Sequence, residues 1–324
     1  MRLLQVCNVG NIVGGTAACA WSTTRALPDW EHVVWFRGRP TAETHEAFRG
    51  CRIEQGSVLS ESKLRELAAD IVLLHNTPAQ AVPWGEGCPG QTGGVLHYRH
   101  SAGGVAAGAD ARLVCSRFLQ QQLGVQDALV LNQGVPCPAY VSGPDVRGIM
   151  DRLRVGRLCT PTGRKWPTSL LDFYGKLAER HPEVDWEFVG CPASLQSRLE
   201  ECLRGRVCFF PAGWGARSRM HGWHALLYSQ PEYPESFGRV CAEAMRCGCV
   251  PIVDRLGGFV EQVTEGTGWL CADGEQFSEA LGALGEPGRW RDRSRRCRET
   301  AESRFSHRAY RNGLLNAMSL LFCK

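Results

Sequence analysis

Short apolar strands alternate with helical segments along this chain, and the alternation breaks off near the middle and starts again. Residues 3–7 (LLQVC) read as a first strand, followed by the loop NVGNIVGGT and a helix over about 17–27. A strand at 32–36, a helix around 62–69 and the strand IVLLH at 71–75 come next. The runs GVLHYRH at 94–100, ARLVCS at 111–116 and ALVLNQG at 128–134 extend the series. Short β-branched runs spaced by helices are the pattern of βα units around a parallel sheet. A seam falls near 136–153, where PCPAYVSGPD is rich in turn formers and has no continuing period.

The second half restarts with LRVGRL at 153–158. A helix is expected over 169–182, where Leu170, Leu171, Phe173, Tyr174, Leu177 and Ala178 recur at helical spacing. Strands follow at 184–190, 206–211, 224–229 and 249–253, with helices over 237–247, from near Gln276, and over 298–321. At 324 residues the chain has room for two domains. The expected division is 1–150, 151–303 and a last helix at 304–324 able to return to the first domain. Parallel sheets bind ligands beyond the carboxyl ends of their strands, so a cleft between the domains is the expected small-molecule site.

Lys and Arg number 37 against 33 Asp and Glu, a net charge of only +4. That balance suits a small anionic ligand and lacks the basic stripe with aromatics that nucleic-acid binding calls for. The densest basic stretch, RWRDRSRRCR from residue 289, reads as a solvated helix face. The opening MRLLQVCNVG is too short for a secretory core, and no run of 18 apolar residues exists. A cytoplasmic protein without a transmembrane segment is expected, although a peripheral membrane contact is compatible with these features. The 16 cysteines show no C-x-x-C and sit mostly in apolar contexts, so reduced buried thiols are expected and a metal site is not.

Three stretches point to chemistry. Gly14-Gly15-Thr16 lies between the first strand and first helix, where free N–H groups can hold an anion. It matches neither a dinucleotide fingerprint nor a Walker loop. In GRLCTPTGRKWP, Arg157 ends a strand and Lys165 sits in the following connection, both expected at the cleft mouth as a diphosphate clamp. Arg164 is a rival for the Lys165 role. In YPESFGRVCAEAMRCGCVPIV, Ser236 is a plausible N-cap, and the helix start near Phe237 and Gly238 would attract phosphate. Glu235 stands outside that helix. Glu243 stands inside it among apolar residues, where a carboxylate needs partners: ribose hydroxyls, or an ion pair with Arg246 or Arg239.

Glu235-SFGRVCA-Glu243 resembles the E-x7-E region of retaining nucleotide-sugar glycosyltransferases of the GT-B fold, the family 4 type typified by glycogen-synthase-like and mannosyltransferase-like enzymes. GGT near the N-terminus, VCSRFLQQQLG, VLNQGV, VGRL, EFVG and MRCGCVPIVDRLGGFVEQV resemble further landmarks of that group, in order along nearly the whole chain. The resemblance implies two Rossmann-like βαβ domains facing a central cleft, the first on the acceptor side and the second binding the donor. It implies that the turn at Gly15 closes over the donor diphosphate and that Arg157 and Lys165 hold the phosphates. Glu235 would meet the transferred sugar, Gly238 the phosphate through its backbone, and Glu243 the ribose. His100 looks like the histidine near the reacting sugar, with His97 and His75 as rivals. Trp166 replaces the glycine usual after the clamping lysine, and the insert TPTGR shifts that lysine.

The expected activity is therefore transfer of a hexose from a UDP- or GDP-sugar to an acceptor hydroxyl with retention, by a front-face route. No cofactor and no essential metal are expected, since a cationic clamp can do the metal's work. A sugar-nucleotide epimerase and a noncatalytic nucleotide-sugar-binding protein are the alternatives.

Overall fold

The computed structural model describes residues 1–78, 81, 94–103, 109–139, 152–286 and 288–321. The chain divides into two compact units, 1–135 with 304–324, and 136–303. The expected boundary at 150, and most of the seam around it, lie outside the described residues.

The first unit is built on a seven-stranded parallel sheet. Its strands are β1 (Arg2–Cys7), β2 (Glu31–Phe36), β3 (Arg52–Gln55), β4 (Ile71–His75), β5 (Val95–Arg99), β6 (Ala111–Val114) and β7 (Leu129–Val130), in the order β3-β2-β1-β4-β5-β6-β7. Helices α1 (Gly15–Ala26), α2 (Ala42–Ala47), α3 (Glu61–Leu67) and α4 (Arg117–Leu123) connect them. Strands β4 and β5 are buried at every position, which is why β4 reads as an apolar run, Ile71 to Leu74, rather than an alternating one. Thr41, Ser60 and Ser116 start α2, α3 and α4 by accepting a backbone N–H three residues on.

The second unit repeats the plan with six parallel strands. These are β8 (Leu153–Leu158), β9 (Val184–Val189), β10 (Val207–Phe210), β11 (Ala225–Tyr228), β12 (Val250–Asp254) and β13 (Trp269–Cys271). Their order, β10-β9-β8-β11-β12-β13, reverses between β8 and β11, as the first sheet's does between β1 and β4. Each reversal leaves a crevice at the carboxyl ends of the central strands. Helices α5 (Ser169–Arg180), α6 (Ala193–Cys202), α7 (Arg239–Arg246), α8 (Phe259–Gln262), α9 (Gly274–Gly285) and α10 (Arg289–Phe305) cover the sheet, together with a 3-10 turn at Gly215–Gly222. Gly156 lets β8 lie flat against Trp223, since a Cβ there would come within 2.0 Å of the indole.

The structure corrects several expectations. The helix expected over 298–321 is two, α10 and α11 (His307–Ser319), because Ser306 breaks the run and caps the second. Helix α10 buries Trp290, Ser294, Cys297, Ala301 and Phe305 along one stripe, and exposes Arg291, Arg295, Arg296 and Arg298. Helix α11 belongs to the first unit: the Tyr310 hydroxyl lies 3.1 Å from Thr23 Oγ1, and Arg311 donates to the Ala26 carbonyl at 3.0 Å. The strand expected over 128–134 narrows to two paired residues, and the helix expected over 237–247 begins only at Arg239.

Candidate active site

In the second unit, the ends of β8 and β11 bring the expected residues together around a buried cation. Arg157 does not reach the mouth of the site as expected. Its side chain is 0% exposed, with the guanidinium 4.4 Å from the Tyr228 ring and 5.0 Å from that of Trp166. It donates to the carbonyls of Lys165 (2.8 Å) and Ser229 (3.0 Å). A cation desolvated between aromatic faces and carbonyls fixes the loops that present those carbonyls. Trp166 forms one wall of this box and packs 5.6 Å from Phe188, which accounts for a large residue where a glycine is usual.

Held this way, Lys165 ion-pairs with Glu235, and the Tyr228 hydroxyl donates to the same Glu235 oxygen at 2.7 Å. Burial and the adjacent Glu235 carboxylate push the Tyr228 phenol well above its ordinary value, so it remains a donor. Arg164 is exposed, its guanidinium 5.8 Å from the Tyr233 ring, while its carbonyl accepts from Gln230 at 2.6 Å. Gln230 and Ser229 also anchor Asp254 at the end of β12, with Ser229 Oγ 3.1 Å from Asp254 Oδ1.

Gly238, not Ser236, precedes α7. It adopts φ 84°, and a Cβ there would lie 2.4 Å from the Phe259 ring. Glycine is needed on both counts. The Glu235 carbonyl accepts from the Gly258 N–H at 2.7 Å, and Gln262 donates to the Phe237 carbonyl, so the 235–238 turn is strapped to α8. The first turn of α7 has no acidic residue, which leaves its positive end available to an anion.

Glu243 is 1% exposed. Its Oε2 accepts from Arg217 at 3.1 Å, and its Oε1 lies 3.4 Å from Arg239 without a protein hydrogen bond. Of the two ion pairs the sequence suggests, Arg239 is present, whereas Arg246 pairs with Glu302 at 2.6 Å. Arg217 was not legible in the sequence, because it comes from a 3-10 turn remote from Glu243 along the chain.

In the first unit, Gly14 takes ordinary extended angles (φ −77°, ψ 146°), so the special freedom of glycine is not used there. It caps α1, whose first turn also lacks acidic residues. Thr16 Oγ1 lies 3.4 Å from Asn76 Nδ2, beyond the end of β4. Asn76 Oδ1 accepts from the His100 backbone N–H at 2.7 Å. A chain of side chains then runs through the histidines. Gln5 Oε1 accepts from His75 Nε2 (2.9 Å), His75 Nδ1 from His100 Nε2 (2.9 Å), and His100 Nδ1 from Gln133 Nε2 (2.9 Å). An amide oxygen at one end fixes the direction of every donor in between. Burial lowers His75 to about 3, which keeps it neutral as this chain requires. His97 is buried and lowered to about 4 by burial and by Arg99 and Arg112, and it takes no part in the chain. Cys19 Sγ and one nitrogen each of His75 and His100 lie within 4.8 Å of one another, the one convergent set of metal-binding donors among the described residues.

Residues 155–304 match the family model described as Glycosyl transferases group 1. That match covers a little under half of the chain. The chain is 32% identical over 143 residues, 41% of its length, to a D-inositol 3-phosphate glycosyltransferase of Corynebacterium jeikeium (strain K411). A second relative of that description, from Corynebacterium urealyticum (strain ATCC 43042 / DSM 7109), is 28% identical over 165 residues. The matched stretch spans 33% and 36% of the length of these curated relatives. The whole chain resembles solved structures of the GT-B fold. Anabaena HepE in complex with UDP-glucose aligns over 98% of this chain and 99% of its own at a TM-score of 0.76 and 17% identity. Sucrose-phosphate synthase from Thermosynechococcus elongatus aligns over 100% and 99% at 0.69 and 18% identity. The two Rossmann-like units are thus those of the GT-B fold. Among the described residues, no helix is long and apolar enough to cross a membrane.

Proposed function

We propose that this chain is a retaining glycosyltransferase that moves a hexose from a UDP- or GDP-sugar to an acceptor hydroxyl without an essential metal. The observation supporting this reading best is the Lys165–Glu235 pair, set beside the positive end of α7 at the second unit's switch point. On departure of the sugar, negative charge grows on the outer phosphate. Lys165, freed from Glu235 by the donor, and the N–H groups around Gly238 stabilise that charge in the transition state. Arg157 acts through the loop it holds rather than by touching phosphate. Glu235, released in turn, accepts from sugar hydroxyls, and the unbonded Oε1 of Glu243 accepts from the ribose. In the first unit, His100, held in one tautomer by His75 and Gln133, assists at the reacting sugar, and the Gly14-Gly15-Thr16 turn attends the diphosphate.

Glu235 is engaged by a lysine and a tyrosine, which suits a sugar-binding carboxylate better than a nucleophile. A front-face route follows, in which a phosphate oxygen takes the acceptor proton. A cytoplasmic location fits the free thiols and the absence of disulfides among the described residues.

Calorimetry with UDP, GDP, ADP and TDP, each with and without magnesium, tests the reading. One nucleotide should bind in both conditions, and Lys165→Ala should weaken it about tenfold, close to 1.4 kcal/mol. UDP-glucose is the first donor to assay, since the HepE structure holds it. Binding of none of the four overturns the proposal. Donor turnover without any acceptor would make the protein an epimerase, and an inverted product would end the retaining assignment.

A further inference from the structure

A cluster in the second unit takes no part in this chemistry. Cys137 is exposed and lies in the segment that follows the first unit's Val135. Its thiol donates to the carbonyl of Arg246, the last residue of α7, at 3.8 Å. The next residue, Cys247, is buried, and its thiol donates to the Cys137 sulfur. Cys247 Sγ is also 3.7 Å from His221 Nε2, which lies 2.7 Å from the Pro138 carbonyl. A carbonyl only accepts, so that nitrogen bears the proton and donates it to Pro138 beside the sulfurs. One solvent-facing sulfur thus lies beside two donors, a neighbouring thiol and an imidazole N–H. These donors, with the Arg246 charge, lower Cys137 to about 4 while the same contact raises Cys247.

We propose that Cys137 and Cys247 are a peroxide-sensitive dithiol, with Cys137 the attacking thiolate and Cys247 the resolving thiol. The Cys137 thiolate attacks a hydroperoxide oxygen and the O–O bond breaks. This yields Cys137 sulfenic acid and an alkoxide or hydroxide, which takes a proton from solvent. Cys247 sulfur then attacks the sulfenic sulfur, and its proton leaves with the departing hydroxide as water. Two thiols and one hydroperoxide thus give one disulfide, one alcohol and one water, and an external dithiol restores the pair. The bridge would tie the segment after Val135 to the end of the helix that holds Glu243 and Arg239.

The test uses the full chain and hydrogen peroxide. One equivalent should lower the intact mass by two hydrogens, and digestion should recover a peptide joining Cys137 to Cys247. Before oxidation, iodoacetamide at pH 6 should label Cys137 at least about tenfold faster than the exposed Cys208. Cys247→Ser should leave a sulfenic acid at Cys137, trapped by dimedone, with no bridge. Labelling of Cys137 no faster than Cys208, or a bridge joining any other pair, overturns the proposal. The labelling needs no variant, so a poorly folding Cys247→Ser still leaves a decisive result.

Discussion

At the scale of single residues, burial decides what each charge can do. Arg157 and Lys165 both read from the sequence as phosphate ligands, yet one is enclosed by aromatic rings and the other ends at a carboxylate. The two should therefore fail differently. Lys165→Ala is expected to cut nucleotide affinity with little change in melting temperature. Arg157→Met is expected to lower both, because it leaves the Lys165 and Ser229 carbonyls unpaired at a cost of about 1–3 kcal/mol each. Differential scanning fluorimetry beside calorimetry separates the cases. Glu243→Ala removes the buried carboxylate that Arg217 and Arg239 share and should cost about 3–5 kcal/mol in urea unfolding. The histidines set a pH dependence. His75 and His97 are held neutral, at about 3 and about 4, below the ordinary value of 6.5. The unfolded chain therefore binds more protons between those values and 6.5. Their contribution is complete above 6.5 and is lost as pH falls, by about 2 kcal/mol per histidine at pH 5. Urea titrations at pH 7 and pH 5 should show that loss, and His75→Gln should show a smaller one.

At the scale of elements, two glycines make opposite forecasts. Gly238 takes a left-handed turn against Phe259, so Gly238→Ala should cost about 1–3 kcal/mol and weaken nucleotide binding by displacing the start of α7. Gly175 lies inside α5, where a Cβ would find its nearest neighbour, Cys202, at 3.7 Å. Gly175→Ala should stabilise by about 0.5–1 kcal/mol without touching binding, and thermal melts of both variants check the contrast. The same scale shows how far the sequence could be read. Buried apolar runs such as 71–75 were legible to the residue, because a strand covered on both faces has no polar alternation to confuse it. Strand β3 (RIEQ) and helix α2 (AETHEA) were not, since an edge strand of polar residues and a six-residue helix leave no period to find. Of the candidate site, only residue types and their spacing could be read. What the sequence hid was direction: that Arg157 turns inward, that Gly238 starts α7, and that Glu243 meets Arg217 from another element.

At the scale of the molecule, the first unit is made from both ends of the chain. Tyr310 is 1% exposed, touches Thr23 and backs onto Gly134, where a Cβ would come within 2.8 Å of its ring. Tyr310→Ala should destabilise by about 3–5 kcal/mol, with hydrogen exchange quickened in α1 and β1 and unchanged in β8 and β11. Exchange quickened equally in both sheets would mean that the units do not hold their stability separately.

That arrangement has a temporal consequence. Tyr310 and Thr23 are separated by 287 positions, while the strands of the second unit are all supplied in between. A chain emerging from the ribosome presents every strand of the second sheet before it presents the helix that completes the first. The half translated first is therefore finished last. Until then it must wait with the α1 surface that α11 covers open to solvent, which makes it the part most in need of a chaperone during synthesis.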